Sequence, residues 1–329
     1  MQDNWNLTGH EWAVDMLKGH IQREGVRHAY LFAGAPSLGK RTLALRFAQA
    51  LNCPEPTAVG VPCGACRDCR QIEAMAHPDL EIVQAEVEGG TLKVDQVREM
   101  RRRVVLKPYQ SRYRVALFLR FQEANDSAAN ALLKTLEEAP AHAVLILTAD
   151  SPEGLLPTIT SRCEILRLRP VPVEVLESLL LSRGADGKRA RLLAHVSNGR
   201  PGYALRLLED ESVLEFREEK LNQLWKLLSG TRVEKFKFAE SLYKDRDALR
   251  QTLLVWGSFW RDVMLACANA SAEPANVDRL AQIEKLSERL SLSAARRVVE
   301  YIEASLERLD GYVNPRLLLE VLLLDLPGV

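Results

Sequence analysis

The sequence predicts an α/β protein built on a parallel sheet and followed by a helical C-terminal part. Two observations support this prediction. Short apolar segments alternate with helical patterns as far as about residue 168, which is the order expected for a parallel sheet with helices on both faces. Beyond Pro170 the strand patterns stop, and from about residue 210 long amphipathic patterns indicate a bundle of helices.

Five strands and four helices are predicted in the first half from the period of the apolar residues. The strand candidates are Ala29–Ala33, Leu80–Val83, Arg114–Leu119, Val144–Thr148 and Ile165–Leu168. The helices between them are Thr42–Leu51, Arg67–Ala76, Val94–Leu106 and Ser127–Glu138. The last of these helices has clear ends, because Asn125 or Asp126 can cap its start and Pro140 follows it.

The first residues and the composition of the chain bear on its cellular location and its class of partner. Residues 1–28 are predicted as a helix whose apolar face uses Trp12, Leu17 and Ile21. The first residues lack the basic and apolar regions of a secretory signal, and no apolar stretch reaches the roughly 18 residues of a membrane span. With 44 basic and 44 acidic residues the net charge is zero, which argues against a general nucleic-acid coat protein. We expect a cytoplasmic protein.

Three parts are expected along the chain. They are an α/β domain at 1–168 with a cysteine module at 53–69, a small helical domain at 169–208, and a helical domain at 209–329. The longest patterns of the last part are Leu253–Ala268 and Ser293–Leu309, the second with Ser293 as N-cap. The segment Leu317–Leu324 is apolar nearly all round, so we expect it to pack against other subunits.

A glycine-rich loop follows the first predicted strand and leads into a helix. It runs Gly34-Ala35-Pro36-Ser37-Leu38-Gly39-Lys40-Arg41-Thr42, which is the context of a phosphate-binding P-loop. In such loops backbone N–H groups cradle phosphates and the lysine reaches the outer ones. The next residue is normally a Ser or Thr that binds Mg²⁺, but here it is Arg41, and Thr42 lies about 100° further around the helix. The candidate nucleotide-binding residues are Gly34, Gly39, Lys40, Arg41 and Thr42, with an impaired metal site.

The acidic half of an ATPase centre is missing as well. A P-loop ATPase needs a carboxylate at the end of a later strand to hold the magnesium shell, and usually a second one to polarise water. The strand that ends at Leu119 should supply them, but Arg120 and Phe121 follow it. An arginine at this position would repel Mg²⁺. The chain therefore has the frame of an ATPase with a defective centre, which predicts a partner of an ATPase.

Four of the six cysteines lie close together in sequence, at Cys53, Cys63, Cys66 and Cys69. In a reducing compartment this spacing favours a metal site over disulfides. Four thiolates at about 2.3 Å would make a closed tetrahedral zinc site with no position for water, which predicts a structural role. An iron–sulfur site and free thiols are the alternatives.

The densest basic stretch lies on one predicted helix and consists of Arg98, Arg101, Arg102, Arg103 and Lys107. These residues are candidates for contacts with a DNA backbone, which would be independent of base sequence and sensitive to salt. A solvated helix face is an equally good interpretation.

The run from Ala128 to Pro140, followed by Ser161-Arg162-Cys163, resembles the bacterial clamp-loader subunits of the AAA+ class. Those subunits also carry a four-cysteine insert just after the P-loop helix. The segment Asn314–Glu320 is similar to their C-terminal collar helix, so the resemblance spans nearly the whole chain. It implies an AAA+ RecA-like sheet domain with a zinc insert, then a helical lid and a helical collar.

Within this family the motor subunits, gamma and tau, have complete Walker A and Walker B motifs, which this chain lacks. The family's sensor-2 arginine, which follows Gly-Ser-Leu, is missing too, since Gly199-Arg200-Pro201 leads to Gly202 here. The resemblance implies a subunit of a DNA polymerase holoenzyme with no ATPase activity of its own. Because Gly39 and Lys40 are retained, weak ATP binding stays open.

The Ser161-Arg162-Cys163 motif is kept although the ATPase centre is not. By the resemblance, Arg162 is an arginine finger that completes the ATP site of an adjacent gamma or tau subunit, where a guanidinium neutralises charge on the γ-phosphate. The alternative is an ordinary ion pair. Lys134, Glu137 and Glu138 are interpreted as helix-surface pairs. The implied partners are gamma/tau and delta in a pentameric ring, and through that ring the sliding clamp and primer-template DNA.

Two other functions are compatible with parts of the sequence. An active ATPase motor subunit would use Lys40 and Thr42, but the missing acidic pair after Leu119 disfavours it. A free-standing zinc-dependent DNA-binding protein is disfavoured by the zero net charge and by the closed four-cysteine pattern.

Overall fold

The computed structural model describes residues 4–87, 89–309 and 313–328, which fold into two compact units. The first unit runs to Leu176 and also includes Gly199–Tyr203. The second comprises Glu177–Asn198 and the chain from Ala204 onward. The three-part division at residues 168 and 208 stays a prediction.

A five-stranded parallel sheet forms the centre of the first unit. Its strands are β1 (Ala29–Ala33), β2 (Leu80–Val83), β3 (Arg114–Phe118), β4 (Ala143–Ala149) and β5 (Glu164–Arg167), and their order across the sheet is β2-β3-β4-β1-β5. The predicted fold class is confirmed, and each strand lies within one residue of its predicted bounds. Leu119 falls just outside β3, although its N–H still donates to the Val83 carbonyl at 2.9 Å.

Strands β1 and β4 are buried on both faces, which explains why they are almost entirely apolar. Successive side chains of a strand point to opposite faces. In β1, Tyr30 and Phe32 therefore pack into one core with Leu17 and Phe47, whereas Leu31 packs into a second core on the other face. All five residues of β1 are buried.

Six helices surround this sheet in the described part of the first unit. They are α1 (Glu11–Gln22), α2 (Lys40–Asn52), α3 (Arg67–Glu73), α4 (Val94–Val104), α5 (Asp126–Glu137) and α6 (Pro157–Thr160). The predicted cap of α5 is confirmed, because the Asn125 side chain accepts a hydrogen bond from the Ala128 N–H at 2.8 Å.

The N-terminal helix differs from its prediction. Of residues 4–28, which the structure describes, it covers Glu11–Gln22 only. Leu17 is fully buried, but Trp12 is 48% exposed, so Trp12 is not part of the apolar face. Five residues along a helix correspond to a rotation of about 500°, which leaves these two side chains about 140° apart. Ala13 and Val14 pack beneath the helix instead.

The remaining helices are α7 (Val173–Ser182), α8 (Gly187–Val196), α9 (Pro201–Glu209), α10 (Glu211–Ser229), α11 (Arg232–Leu242), α12 (Arg246–Cys267), α13 (Leu280–Ser287), α14 (Leu292–Leu309) and α15 (Pro315–Asp325). The core of the second unit contains Trp256 and Trp260, both fully buried on α12. The Trp256 indole N–H donates to the Lys220 carbonyl at 2.9 Å. The prediction of Ser293 as a cap is wrong, since the Ser291 hydroxyl accepts the hydrogen bond from the Ala294 N–H and α14 begins at Leu292.

The last helix, α15, buries only one side. Its buried residues are Leu318, Leu319, Leu322 and Leu323. Leu317, Val321 and Leu324 lie on the opposite side and are 58%, 51% and 44% exposed. Their spacing of four and three residues makes them a continuous apolar stripe. No helix among the described residues is both long and apolar enough to cross a membrane.

Candidate functional site

Three strands bring the residues of the candidate nucleotide site to one edge of the sheet. Strand β4 lies between β1 and β3, and the ends of parallel strands emerge at the same edge. The P-loop follows β1, Arg120 follows β3 and Asp150 follows β4. Hydrogen bonds join these segments, since the Gly34 N–H donates to the Ala149 carbonyl at 3.1 Å and the Arg120 N–H donates to Thr148 Oγ1 at 2.9 Å.

The P-loop keeps a backbone suited to enclosing an anion. Ser37 and Gly39 have φ angles of 65° and 95°, in the left-handed region. At Gly34 a Cβ atom would lie 2.7 Å from the Leu168 carbonyl oxygen, so only glycine fits there. The buried Leu38 fixes the loop, and its carbonyl lies 3.0 Å from His10 Nε2.

His10 supports the loop as a neutral donor. Burial lowers the pKa of its imidazole below the ordinary value of 6.5. A carbonyl oxygen can only accept, so the contact with Leu38 requires the proton on Nε2.

The ammonium group of Lys40 is already bound by groups of its own chain. It donates to the carbonyl of Gly34, to the Ala35 carbonyl at 3.1 Å and to Asp150 Oδ1 at 2.9 Å. The lysine side chain is only 10% exposed. Because an ammonium has three N–H donors, these contacts use all of them. A phosphate must displace at least one contact before it can bind Lys40.

The positions that should hold magnesium carry basic residues. Arg41 and Thr42 lie exposed on the first turn of α2, with Arg41 where the hydroxyl ligand is expected. After β3, Arg120 Nε donates to Glu123 Oε1 at 2.8 Å. The same oxygen accepts from the Gly89 N–H at 2.9 Å. The nearby Glu123 carboxylate is therefore engaged by an arginine and a backbone amide.

The segment predicted to lack the sensor-2 arginine contacts the P-loop directly. The Gly202 N–H donates to the Ser37 carbonyl at 2.9 Å. A Cβ atom at Gly202 would lie 3.1 Å from that oxygen, so the approach is close. The Arg200 guanidinium lies over the Tyr203 ring, 4.7 Å from its centroid.

The four predicted cysteines lie together. Their Sγ atoms all lie within 4.8 Å of one another. The Sγ–Sγ distances are 3.6 Å for Cys53–Cys63, 4.0 Å for Cys53–Cys66 and 3.9 Å for Cys63–Cys69. These distances are too long for disulfides. A tetrahedral zinc ion with bonds of about 2.3 Å requires about 3.8 Å between sulfurs, so this donor set fits zinc.

Backbone amides support the thiolate form that a metal requires. The Cys66 N–H donates to Cys63 Sγ at 3.3 Å and lowers the pKa of Cys63 to about 7. Further N–H groups point at Cys53 Sγ and Cys66 Sγ, at 3.4 Å in both cases. Burial raises the pKa of the Cys69 thiol, which is the most enclosed of the four.

Polar contacts join the cysteine cluster to the P-loop helix. Gln49 of α2 is buried, and its Nε2 donates to the Cys69 carbonyl at 2.7 Å. Arg46 of α2 pairs with Glu73 of α3 at 2.7 Å. These contacts hold α3, which carries Cys69, against the helix that begins with Lys40.

Arg162 lies just after α6 and is held within its own unit. Its Nη2 donates to Glu137 Oε1 at 2.6 Å, and its Nη1 donates to the Thr158 carbonyl at 2.8 Å. The arginine side chain is 35% exposed and that of Glu137 is 51% exposed. The sequence interpretation of Glu137 as part of a helix-surface pair is wrong, because its partner belongs to a different segment.

The basic residues of α4 lie mostly beside acids. Arg98 pairs with Asp95 at 3.2 Å, Arg102 with Glu99 at 3.6 Å, and Arg103 with Glu81 and Glu99 at 3.0 Å. The Arg101 side chain has neither an ion pair nor a hydrogen bond within residues 4–87, 89–309 and 313–328. This arrangement favours a solvated helix face over a strongly basic surface.

Sequence reasoning missed three residues of the site: His10, Glu123 and Glu137. Each acts on a residue far along the chain or across a turn, and although Glu137 lies in the Ala128–Pro140 run, nothing in that run indicates its contact with Arg162. Burial distinguishes His10, and it is visible in the structure but not in the sequence.

Fold and site together define the class of protein. It is a P-loop protein of the ATPase type in which basic residues occupy the metal-binding positions, with a cysteine cluster beside the P-loop helix.

Comparison with known proteins gives the family. A model described as DNA polymerase III, delta subunit, matches residues 9–172, and one described as DNA polymerase III, delta subunit, C terminal, matches residues 212–327. DNA polymerase III subunit delta' of Bacillus subtilis is 29% identical over 323 residues, which cover 95% of this chain and 94% of that protein.

The subunit delta' of Pseudomonas aeruginosa is 37% identical over 204 residues, 61% of each chain. The gamma/tau subunit of Mycobacterium tuberculosis is 36% identical over 177 residues, which cover 53% of this chain and 30% of that protein. The chain belongs to the delta-prime family of bacterial DNA polymerase III clamp-loader subunits. The clamp-loader resemblance in the sequence is thereby confirmed.

Proposed function

We propose that this chain is a non-hydrolysing delta-prime subunit of the DNA polymerase III clamp loader. It assembles with delta and gamma/tau subunits in a pentameric ring. There it supplies Arg162 to the ATP site of a neighbouring subunit and helps to load the sliding clamp on primed DNA. Localisation in the cytoplasm follows from this role.

The main support for the proposal is that position 120 holds an arginine. An ATPase needs a carboxylate there to hold the magnesium shell. In this chain Arg120 occupies the position and pairs with Glu123 at 2.8 Å. Arg41 adds a second positive charge where the hydroxyl ligand belongs. Two guanidinium groups near the metal position would repel Mg²⁺, so the chain's own site is not expected to hydrolyse ATP.

The exposure of Arg162 supports action on another subunit. A finger must be reachable from outside and must stay charged, and arginine meets the second condition at any ordinary pH. Its side chain is 35% exposed, which meets the first condition.

The exposed apolar stripe of α15 supports assembly. Leu317, Val321 and Leu324 present a continuous apolar surface at the end of the helical unit. Exposed apolar surfaces of this kind are covered in protein complexes. We therefore assign this stripe to contacts between subunits of the ring.

We also propose that Cys53, Cys63, Cys66 and Cys69 bind one structural zinc ion. The sulfur spacing fits a tetrahedral ion, and with four protein ligands no coordination position remains for a substrate. Contacts of Arg98, Arg101, Arg102 and Arg103 with the DNA backbone stay a secondary proposal, because three of the four are paired with acids.

Steady-state ATP hydrolysis by the isolated chain, with and without primed DNA, tests the absence of catalysis. We expect no turnover above that of a Lys40→Ala control. One observation favours the rival motor function, namely the retained P-loop shape with Lys40 in place. Turnover that Lys40→Ala abolishes would establish the motor function and contradict the proposal.

A further inference from the structure

Two separate helical segments hold the Arg162 guanidinium. Glu137 is the last residue of α5, and Thr158 lies in α6. Their oxygens accept from different nitrogens of the same guanidinium, at 2.6 Å and 2.8 Å. We propose that Glu137 is a positioning residue, which aims the Arg162 finger at the phosphate of the neighbouring subunit. This inference rests on the finger function proposed above.

The arrangement leaves the guanidinium able to bind a phosphate. A guanidinium has five N–H donors. Contacts with Thr158, Glu137 and the Ser161 hydroxyl, the last at 3.5 Å, use three of them. Two donors remain, which suffices for a bidentate contact with phosphate oxygens. Glu137 therefore orients the Arg162 guanidinium and leaves two of its N–H donors available for phosphate.

The charge of Glu137 makes it the stronger of the two supports. A hydrogen bond between a guanidinium and a carboxylate is shorter and about twice as strong as one between neutral groups. Because Glu137 ends a helix that packs on the sheet, its position is set by the core of the first unit. The Glu137 carboxylate thus holds the long side chain of Arg162 in a defined position.

The expected effect falls on turnover and not on ATP binding. A finger acts on charge that develops during phosphoryl transfer. An arginine that is not held beforehand loses its rotamer freedom at that moment, which lowers the rate by up to about tenfold.

Glu138 provides a matched control. It is the next residue, it carries the same charge at the same helix end, and it is exposed. Its carboxylate forms no ion pair within the described part of the chain. Substitution of Glu138 therefore changes the local charge without changing the support of Arg162.

The test uses the clamp loader reconstituted from this chain with gamma/tau and delta subunits, in the presence of primed DNA and clamp. The difference in ATP turnover between wild type and Arg162→Ala defines the finger-dependent rate. We expect Glu137→Ala to lower this rate at saturating ATP by about tenfold. The KM for ATP should stay within about twofold, because ground-state binding does not depend on the finger. Glu137→Asp should lose less than Glu137→Ala, and Glu138→Gln should match wild type.

A double-mutant comparison separates positioning from a structural role. In the Arg162→Ala background, Glu137→Ala should cause no further change. A further loss there, or an unchanged rate in Glu137→Ala alone, would overturn the proposal. Glu137→Gln keeps the side-chain shape and replaces Glu137→Ala if that variant does not assemble. If Arg162→Ala itself has no effect, the finger function fails, whatever Glu137 does.

Discussion

At the scale of single residues, the positive side chains around the P-loop determine whether the nucleotide site can bind a metal ion. Arg41 and Arg120 stand where an ATPase has a hydroxyl and a carboxylate. The one positive charge that a P-loop does require, Lys40, is bound by Asp150 and by loop carbonyls. The loop therefore retains the shape of a phosphate site, and we propose that it does not hold a metal.

His10 gives the stability of the first unit a dependence on pH. Burial lowers the pKa of His10 below 6.5, so the folded chain binds this proton less readily than the unfolded chain. The contribution of His10 to the free energy of unfolding is thus complete above pH 6.5 and is lost as the pH falls from 6.5 towards the lowered pKa.

The variant His10→Gln keeps a donor for the Leu38 carbonyl but does not titrate. Chemical denaturation between pH 8 and pH 5 should show a smaller loss of stability for this variant than for wild type. Comparison at pH 8 measures any loss that comes from the altered hydrogen bond alone. Parallel curves for the two proteins over the whole range would contradict the role assigned to His10.

At the scale of elements, we expect the cysteine cluster to stabilise the helix that carries the P-loop lysine. Gln49 on α2 donates to the Cys69 carbonyl, and Arg46 on α2 pairs with Glu73 on α3. A bound ion would hold α3 in place and, through these contacts, the C-terminal half of α2. We expect this module to depend on a bound ion, because only Cys69 and Ile72 of α3 are buried, too few to fix so short a helix.

Purified protein should contain about one zinc ion per chain, measured by elemental analysis. Cys66→Ser should lose this zinc and lower the melting temperature, and a chelator should have the same effect on wild type. Cys267→Ser is the control, since Cys267 lies on α12 in the second unit and should leave the zinc content unchanged. Wild type free of zinc, or Cys66→Ser with full zinc, would refute the assignment.

The elements were largely predictable from the sequence, because strands buried on both faces are continuous apolar runs between turn residues. The cysteine cluster was predictable from spacing alone. The ion pair of Arg162 with Glu137 was not, since it joins residues 25 positions apart whose proximity depends on how α5 and α6 pack. Trp12 does not share the apolar face of Leu17, because five residues along a helix place the two side chains about 140° apart.

At the scale of the whole molecule, the chain combines an incomplete ATP site with surfaces suited to partners. The family assignment explains this combination, since a clamp-loader subunit acts within an assembly. Of the two features proposed for contact with neighbours, Arg162 is partly exposed and the α15 stripe is exposed. In the P-loop, by contrast, the Lys40 ammonium is bound by groups of its own chain.

The central claim is that this chain contributes to ATP hydrolysis only through Arg162. Steady-state ATPase of the reconstituted complex, with primed DNA and clamp, tests it most directly when wild type is compared with Arg162→Ala and Lys40→Ala. We predict that Arg162→Ala removes the turnover of the adjacent site, because fingers accelerate phosphoryl transfer by about 10³–10⁵. Lys40→Ala should leave the rate nearly unchanged. A large loss in Lys40→Ala with little effect of Arg162→Ala would show that the chain is a motor subunit.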